Sequence, residues 1–170
     1  MSGLALRGRS SLIGAEIGVF KGEHAESLLA HANVERLYLV DPYRMYDRYD
    51  EGHKHYGIDQ VSLGVAQADA RARLLPHEDK TVWVNEFSAK ASSRIPEALD
   101  FVYIDGNHQE EFVSEDINVF LKLLKPGGII GGHDFYNGFQ RDHDGVVSGV
   151  IGFVQQSDAV LQVELPDWWI

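Results

Sequence analysis

With 170 residues, no cysteine and a formal net charge of −11, the chain has material for one domain with a sizeable core and too little for two ordinary ones. The absent thiol excludes disulfides, thiolate metal sites and a cysteine nucleophile, and the acidic balance argues against nucleic acid or an anionic membrane as partner, since both are held by clustered Lys and Arg. The N-terminal Met-Ser-Gly-Leu-Ala-Leu-Arg-Gly-Arg lacks the apolar core of a signal peptide, and no run of about 18 apolar residues follows, so a soluble, cytoplasmic protein is expected.

Ser11 to Gly18 reads as a first strand, followed by a helix in which Ala25, Leu28, Leu29 and Ala32 recur at i, i+3, i+4 and i+7. Leu37-Tyr-Leu-Val-Asp41 is a short buried-type strand closed by Pro42, which cannot extend a ladder. A helix is expected around Ile58 to Leu75, then a third strand from Thr81 to Asn85 and a fourth from Phe101 to Asp105. The next helix carries Val113, Ile117, Phe120, Leu121 and Leu124 on one face and stops at Lys125-Pro-Gly-Gly, a combined stop and turn signal. Ile129 to Gly132 forms strand five, and Val147, Val150, Ile151 and Val154 mark a last helix. Leu161, Val163 and Leu165 alternate with Gln162 and Glu164, as in a half-exposed strand. The alternation of strand and helix predicts an α/β fold: a Rossmann-like, doubly wound, mostly parallel sheet with an antiparallel edge strand and helices on both faces, a single domain over residues 1–170.

Two strand ends carry ionisable clusters, Phe101-Val-Tyr-Ile-Asp-Gly-Asn-His108 and Gly127-Gly-Ile-Ile-Gly-Gly-His-Asp134. Ligands of open parallel sheets bind beyond the carboxyl ends of the strands, so Asp105, His108, His133 and Asp134 should face a common crevice. Glu16-Ile-Gly-Val-Phe-Lys-Gly22 spans the junction of strand one and helix one, where Gly18 and Gly22 permit close backbone approach and the helix start offers N–H groups to an anion. Its spacing differs from the dinucleotide fingerprint G-x-G-x-x-G. Asp41, ending strand two, stands where an acid can accept both ribose hydroxyls. The segment Tyr43 to Gly57, with four tyrosines and two histidines, reads as a solvated loop or as a substrate lid placed by a rigid scaffold. The isolated histidines His24, His31, His77 and His143 read as surface or satisfied core residues, and Gln109-Glu-Glu111 as the acidic first turn of a helix.

Taken in order, Glu-x-Gly-x-x-x-Gly, an acid after strand two, Ile-Asp-Gly-Asn-His and Leu-Lys-Pro-Gly-Gly-Ile-Ile resemble the class I S-adenosylmethionine-dependent methyltransferases. The similarity is strongest to small O-methyltransferase-like domains with Ile-Asp-Gly-x-His and Gly-His-Asp motifs, and it runs from about Leu12 to Ile170. The resemblance implies that Glu16, Gly18 and Gly22 surround the methionine part of S-adenosylmethionine. It further places Asp41 at the ribose with Tyr43 nearby, and Glu86, Phe87 and Ser88 beside the adenine. Asp105 would serve the cofactor and, with His133 and Asp134, a divalent metal, magnesium or manganese; His108 would be the catalytic base. His133 stands where catechol-type relatives have a carboxylate, and imidazole suits manganese, iron, nickel or zinc better than magnesium.

The expected reaction is transfer of a methyl group to a small hydroxylated acceptor, a sugar or natural product. Such a displacement needs a positioned acceptor and a route for its proton. Residues 43–57 and the loop from Phe135 to Asp144 would cover the acceptor, with help from a second subunit of a homo-oligomer. Rival readings are a metal-dependent hydrolase or oxygenase on the same ligands, and a non-catalytic cofactor-binding domain.

Overall fold

The computed structural model describes residues 6, 8–46, 57–136 and 144–170. Seven strands form one sheet: β1 (Leu12–Ile17), β2 (Val34–Val40), β3 (Thr81–Val84), β4 (Leu99–Ile104), β5 (Leu124–Gly132), β6 (Gln162–Glu164) and β7 (Asp167–Trp169). Their spatial order is β3-β2-β1-β4-β5-β7-β6, parallel from β3 through β5, with β7 antiparallel to both β5 and β6. The chain starts in the centre of the sheet, winds outward to β3, and returns through β4. The order therefore reverses between β1 and β4, the switch at which a doubly wound sheet opens its crevice.

Among the described residues the α-helices are α1 (Glu23–His31), α2 (Gln60–Leu74), α3 (Ser88–Ala91), α4 (Glu110–Phe120) and α5 (Asp144–Gln155). Side chains alternate across a strand, and two cores follow from that alternation. Leu37 and Leu39 of β2 and Phe101 of β4 pack with Ala25, Leu28 and Leu29 of α1 and Ala66, Ala70 and Leu74 of α2. Tyr38, Val40, Val102 and Ile104 point the other way, to Ala91 of α3, Val113, Ile117 and Phe120 of α4, and Val146 and Val150 of α5. Helix α2 begins with a reciprocal cap: the Asp59 carboxylate accepts from Ser62 N–H at 2.7 Å, and Asp59 N–H donates to Ser62 Oγ at 2.7 Å. Among the described residues no helix is long and apolar enough to cross a membrane.

The expected fold is borne out, with two local differences. Leu124 does not continue the helix. Helix α4 ends at Phe120, a 3-10 turn covers Leu121–Leu123, and β5 already begins at Leu124. Leu124 pairs with Leu99 and Ile129 with Phe101. Five steps along β5 thus match two along β4, and the Pro-Gly-Gly residues bulge out of the ladder. The second difference lies at the C-terminus. The stretch read as the edge strand is one, Gln162–Glu164, antiparallel at the rim of the sheet and exposed throughout, but an unexpected strand, Asp167–Trp169, stands between it and β5. Its Trp168 is 0% exposed and packs into the core on the α4 and α5 side.

Candidate active site

The β1–α1 turn is shaped by a close crossing of main chains. Asp105 N–H donates to Ile17 O at 2.7 Å and Gly18 N–H to Val40 O at 2.9 Å, so the ends of β4 and β2 are tied to the end of β1. Gly18 has φ 84°, and a Cβ there would stand 2.0 Å from the Asp105 carbonyl oxygen; no other residue fits. Asp41 then clamps the turn. Its Oδ2 accepts from Val19 N–H and Phe20 N–H, both at 3.0 Å, and its Oδ1 accepts from Tyr43 N–H at 2.8 Å. Three of roughly four lone-pair positions are filled in this way, so Asp41 builds the turn as well as facing the ligand space.

A cavity of about 560 Å³ lies over these strand ends, within the size range of small-molecule sites. Of the expected cofactor residues, Glu16, Gly18, Asp41, Phe87, Ser88 and Asp105 line it. Three others are not among its lining residues. Gly22 caps α1 with φ 75°, and a Cβ there would meet Leu74 and Ala70 of α2 at 3.2 to 3.4 Å, so it serves helix packing. Glu86 is paired with Arg94 at 3.0 Å and Arg44 at 4.0 Å. Tyr43 is buried, donating its hydroxyl to Phe20 O at 2.8 Å. Residues 47–56 and 137–143 of the two expected lids lie outside the described residues. Arg44 and Tyr46 do line the cavity. The Tyr46 ring meets Phe87 and Phe112 edge-on at 5.4 and 5.9 Å, and its hydroxyl accepts from Asn107 Nδ2 at 2.6 Å.

Glu16 is 1% exposed, and among the described residues its Oε2 has no hydrogen-bond donor; His24 Nδ1 stands 3.5 Å away. Burial pushes its carboxyl above the ordinary value, against the pull of His24. A cationic or N–H group of a bound ligand would satisfy that oxygen. His24 is not the bystander expected from sequence. It lines the cavity, and its ring stacks on Tyr103 with centroids 3.7 Å apart. The side chain is placed by α1, whose start the glycine turn fixes.

The ends of β4 and β5 bring Asp105, His108 and Asp134 together, with one ligand atom from each lying within 4.8 Å of the others. His108 Nε2 is 3.0 Å from Asp134 Oδ2 and 3.8 Å from Asp105 Oδ1. Asp134 reaches this position because its backbone turns left-handed, φ 59°, directly after the ladder contact from His133 N–H to Ile104 O. His133 joins the group from behind: its Nδ1 is 3.1 Å from Asp134 Oδ1, the oxygen His108 leaves open. Burial lowers the proton affinity of His108, but the bonds to Asp105 and Asp134 outweigh it and hold the imidazole up at about 9. For Asp134, burial is likewise overridden, and the two histidines hold its carboxyl well below the usual range. His133 is raised, chiefly by its bond to Asp134.

Asp116, on the second turn of α4, was missed by sequence reasoning. It is 4% exposed, lines the cavity, and bonds to Ser88. Its place at i+3 between Val113 and Phe120, on the apolar face of the helix, was the available signal.

No curated protein matches the chain by sequence. Solved structures with the same fold include a Streptococcus mutans methyltransferase-like protein in complex with SAH (14% identity, TM-score 0.63, 94% of this chain and 86% of that one). The calicheamicin methyltransferase CalS11 is also similar (13%, 0.66, 94% and 71%), as is the N-methyltransferase NodS from Bradyrhizobium japonicum (18%, 0.58, 98% and 87%). At these identities the likeness concerns the fold. Residues 15–135, from β1 to just past β5, match the family model described as "Methyltransferase domain", and the chain belongs to that methyltransferase family.

Proposed function

We propose that the protein transfers a methyl group from S-adenosylmethionine to a hydroxyl of a small acceptor, of sugar or natural-product type. The observation that carries this reading is the continuity of the cavity. It runs from Glu16 and His24, past Gly18 and Asp41, to Phe87 and Ser88, with Asp105 and His108 in the same wall. The cofactor's ammonium matches the unsatisfied Glu16 oxygen, its ribose the remaining capacity of Asp41, and its flat base the aromatic end at Phe87 and Phe112. When bound, the cofactor supplies an electrophilic methyl on a sulfonium. The chain's own task is to hold the acceptor in line and exclude water. Calorimetric titration with S-adenosylmethionine and S-adenosylhomocysteine tests the reading, and absence of binding by both refutes it.

Two carboxylates and an imidazole fit a first-row divalent cation such as Mn²⁺ better than the all-oxygen shell Mg²⁺ prefers. Asp105, His108 and Asp134 would hold it, with His133 steadying Asp134 from the far side; such an ion lowers the pKa of a coordinated hydroxyl. A second reading leaves the cation out and assigns the acceptor's proton to His108, which, held up at about 9, can take it only once its own proton is lost, so turnover should rise with pH toward that value. It is favoured by the 3.0 Å contact with Asp134, the kind of bond that fixes an imidazole's tautomer and direction. Mn²⁺ titration separates the two. Under the first, His108→Ala abolishes Mn²⁺ binding and His133→Ala weakens it about 10-fold; under the second, the wild type binds no Mn²⁺ at millimolar concentration.

A further inference from the structure

We propose that Trp168 is a positioning residue for His108: its indole N–H holds one buried water against the imidazole, so that the ring keeps Nε2 turned to Asp105 and Asp134. The inference rests on the role given to His108 in the methyl-transfer reading above. It starts from an orphaned donor. Trp168 is 0% exposed, and among the described residues its Nε1 has no hydrogen-bond acceptor. A phenyl ring would fill such a core position without that cost, since a buried donor left unmet is expensive. Strand β7 brings the indole to the site. Trp168 pairs with Gly132 of β5, and a Cβ on that glycine would stand 3.0 Å from both Nε1 and Cζ2 of the indole. The nitrogen edge of the ring therefore lies against Gly132, one residue before His133 and two before Asp134.

Beside it lies a second cavity, of about 10 Å³, walled by Trp168, His108, His133 and Asp105 together with apolar side chains from β4, α4 and α5. A single water needs about 10 to 15 Å³ of such space and at least two polar partners. An indole nitrogen only donates; a water that accepts its proton keeps a lone pair and two protons for further contacts. His108 supplies the second partner. Its Nε2 is the nitrogen 3.0 Å from Asp134 and 3.8 Å from Asp105. The other nitrogen, Nδ1, is buried, and the ring borders the same cavity as the indole. Water fits there whether or not Nδ1 carries a proton, because it can accept or donate. A bond at one imidazole nitrogen fixes the direction in which the other works. The tryptophan of the C-terminal strand thus reaches the site through one water, from beneath the ends of β4 and β5.

The test is NMR of the metal-free protein at pH 6, below the value of about 9 to which His108 is held up, so that Nδ1 carries a proton. Wild type should show magnetisation transfer from one long-lived water to both the Trp168 Nε1 proton and the His108 Nδ1 proton. In Trp168→Phe the His108 Nδ1 proton should exchange with solvent about 10-fold faster, measured against the backbone amides of β4, whose exchange reports opening of the fold as a whole. Trp169→Phe changes the neighbouring ring on the other face of β7 and should leave that rate within about twofold. A wild-type Trp168 proton with no bound water, or with one that does not reach His108, overturns the proposal. So does a His108 exchange rate, relative to the β4 amides, that is the same in Trp168→Phe as in wild type. The wild-type measurement needs no variant, so it decides the matter even if Trp168→Phe does not fold. S-adenosylhomocysteine takes no part in the test, so its binding, which decides the methyl-transfer reading, can succeed where this proposal fails.

Discussion

Replacing Asp116 by Asn tests the buried acid through stability, without any ligand. Burial raises its carboxyl from the ordinary 3.8 to about 7. In the folded state the group keeps its proton between these two values, whereas in the unfolded chain it has lost it. The folded state thus binds more protons, and stability falls as pH rises through this window. At about 1.4 kcal/mol for each tenfold change in proton affinity, the total loss is about 4 kcal/mol by neutral pH. About 3 kcal/mol of this should fall between pH 5 and pH 8. Asn does not titrate, so its constant cost or gain cancels when the variant is compared with wild type across pH. Urea unfolding of both proteins at pH 5 and pH 8 should show the variant gaining about 3 kcal/mol on wild type over that interval. A stability difference that stays flat within about 0.5 kcal/mol would refute the claim that Asp116 is held protonated by burial.

Gly18→Ala places a Cβ 2.0 Å from the Asp105 carbonyl at a φ of 84°; a loss of at least about 3 kcal/mol in urea unfolding is expected, with S-adenosylhomocysteine binding lost to calorimetry. Trp168→Ala removes a fully buried indole from the β7 side of the core, and should cost about 3 to 5 kcal/mol by the same measurement. Tyr46→Phe deletes the acceptor for Asn107 while keeping the ring on Phe87 and Phe112. Unfolding stability should hold, and S-adenosylhomocysteine affinity should fall about 2- to 10-fold.

The sheet was legible in the sequence because its order is written in local patterns. Leu37-Tyr-Leu-Val and Phe101-Val-Tyr-Ile are continuous apolar runs, as strands covered on both faces must be. The helices between them repeat at 3.6 residues. Prediction failed where structure depends on a partner distant in sequence. Asp167-Trp-Trp is too short to carry a period of its own, and it is a strand only because β5 and β6 flank it. Leu161 to Leu165 has the alternation of a strand, and Gln162–Glu164 is indeed the antiparallel edge strand; what its pattern could not show is that β7 stands between it and β5. Leu124 fits the spacing of α4, but its backbone is claimed by Leu99.

The site divides along the same line. Residues ending a strand were found, because a strand end in a parallel sheet fixes both position and direction: Glu16, Gly18, Asp41, Asp105 and Asp134 all stand at the crevice. What spacing could not supply is which of two neighbouring side chains points inward. His133 and Asp134 are adjacent in sequence, and the left-handed turn at Asp134 sends the carboxylate toward His108 and leaves His133 on its outer oxygen. Gly22 and Gly18 looked equivalent in Glu16-Ile-Gly-Val-Phe-Lys-Gly22, yet one meets the Asp105 carbonyl and the other the side of α2. Polar residues on helices were the hardest to place. His24 and Asp116 reach the cavity from α1 and α4, from positions where the helical pattern alone asks for an apolar residue or none at all. Each is a local violation of the pattern, and a fold keeps a buried polar group against its own stability where a site requires it. In this chain the buried Asp116 carboxyl should therefore lower the stability of the empty protein as pH rises toward neutral.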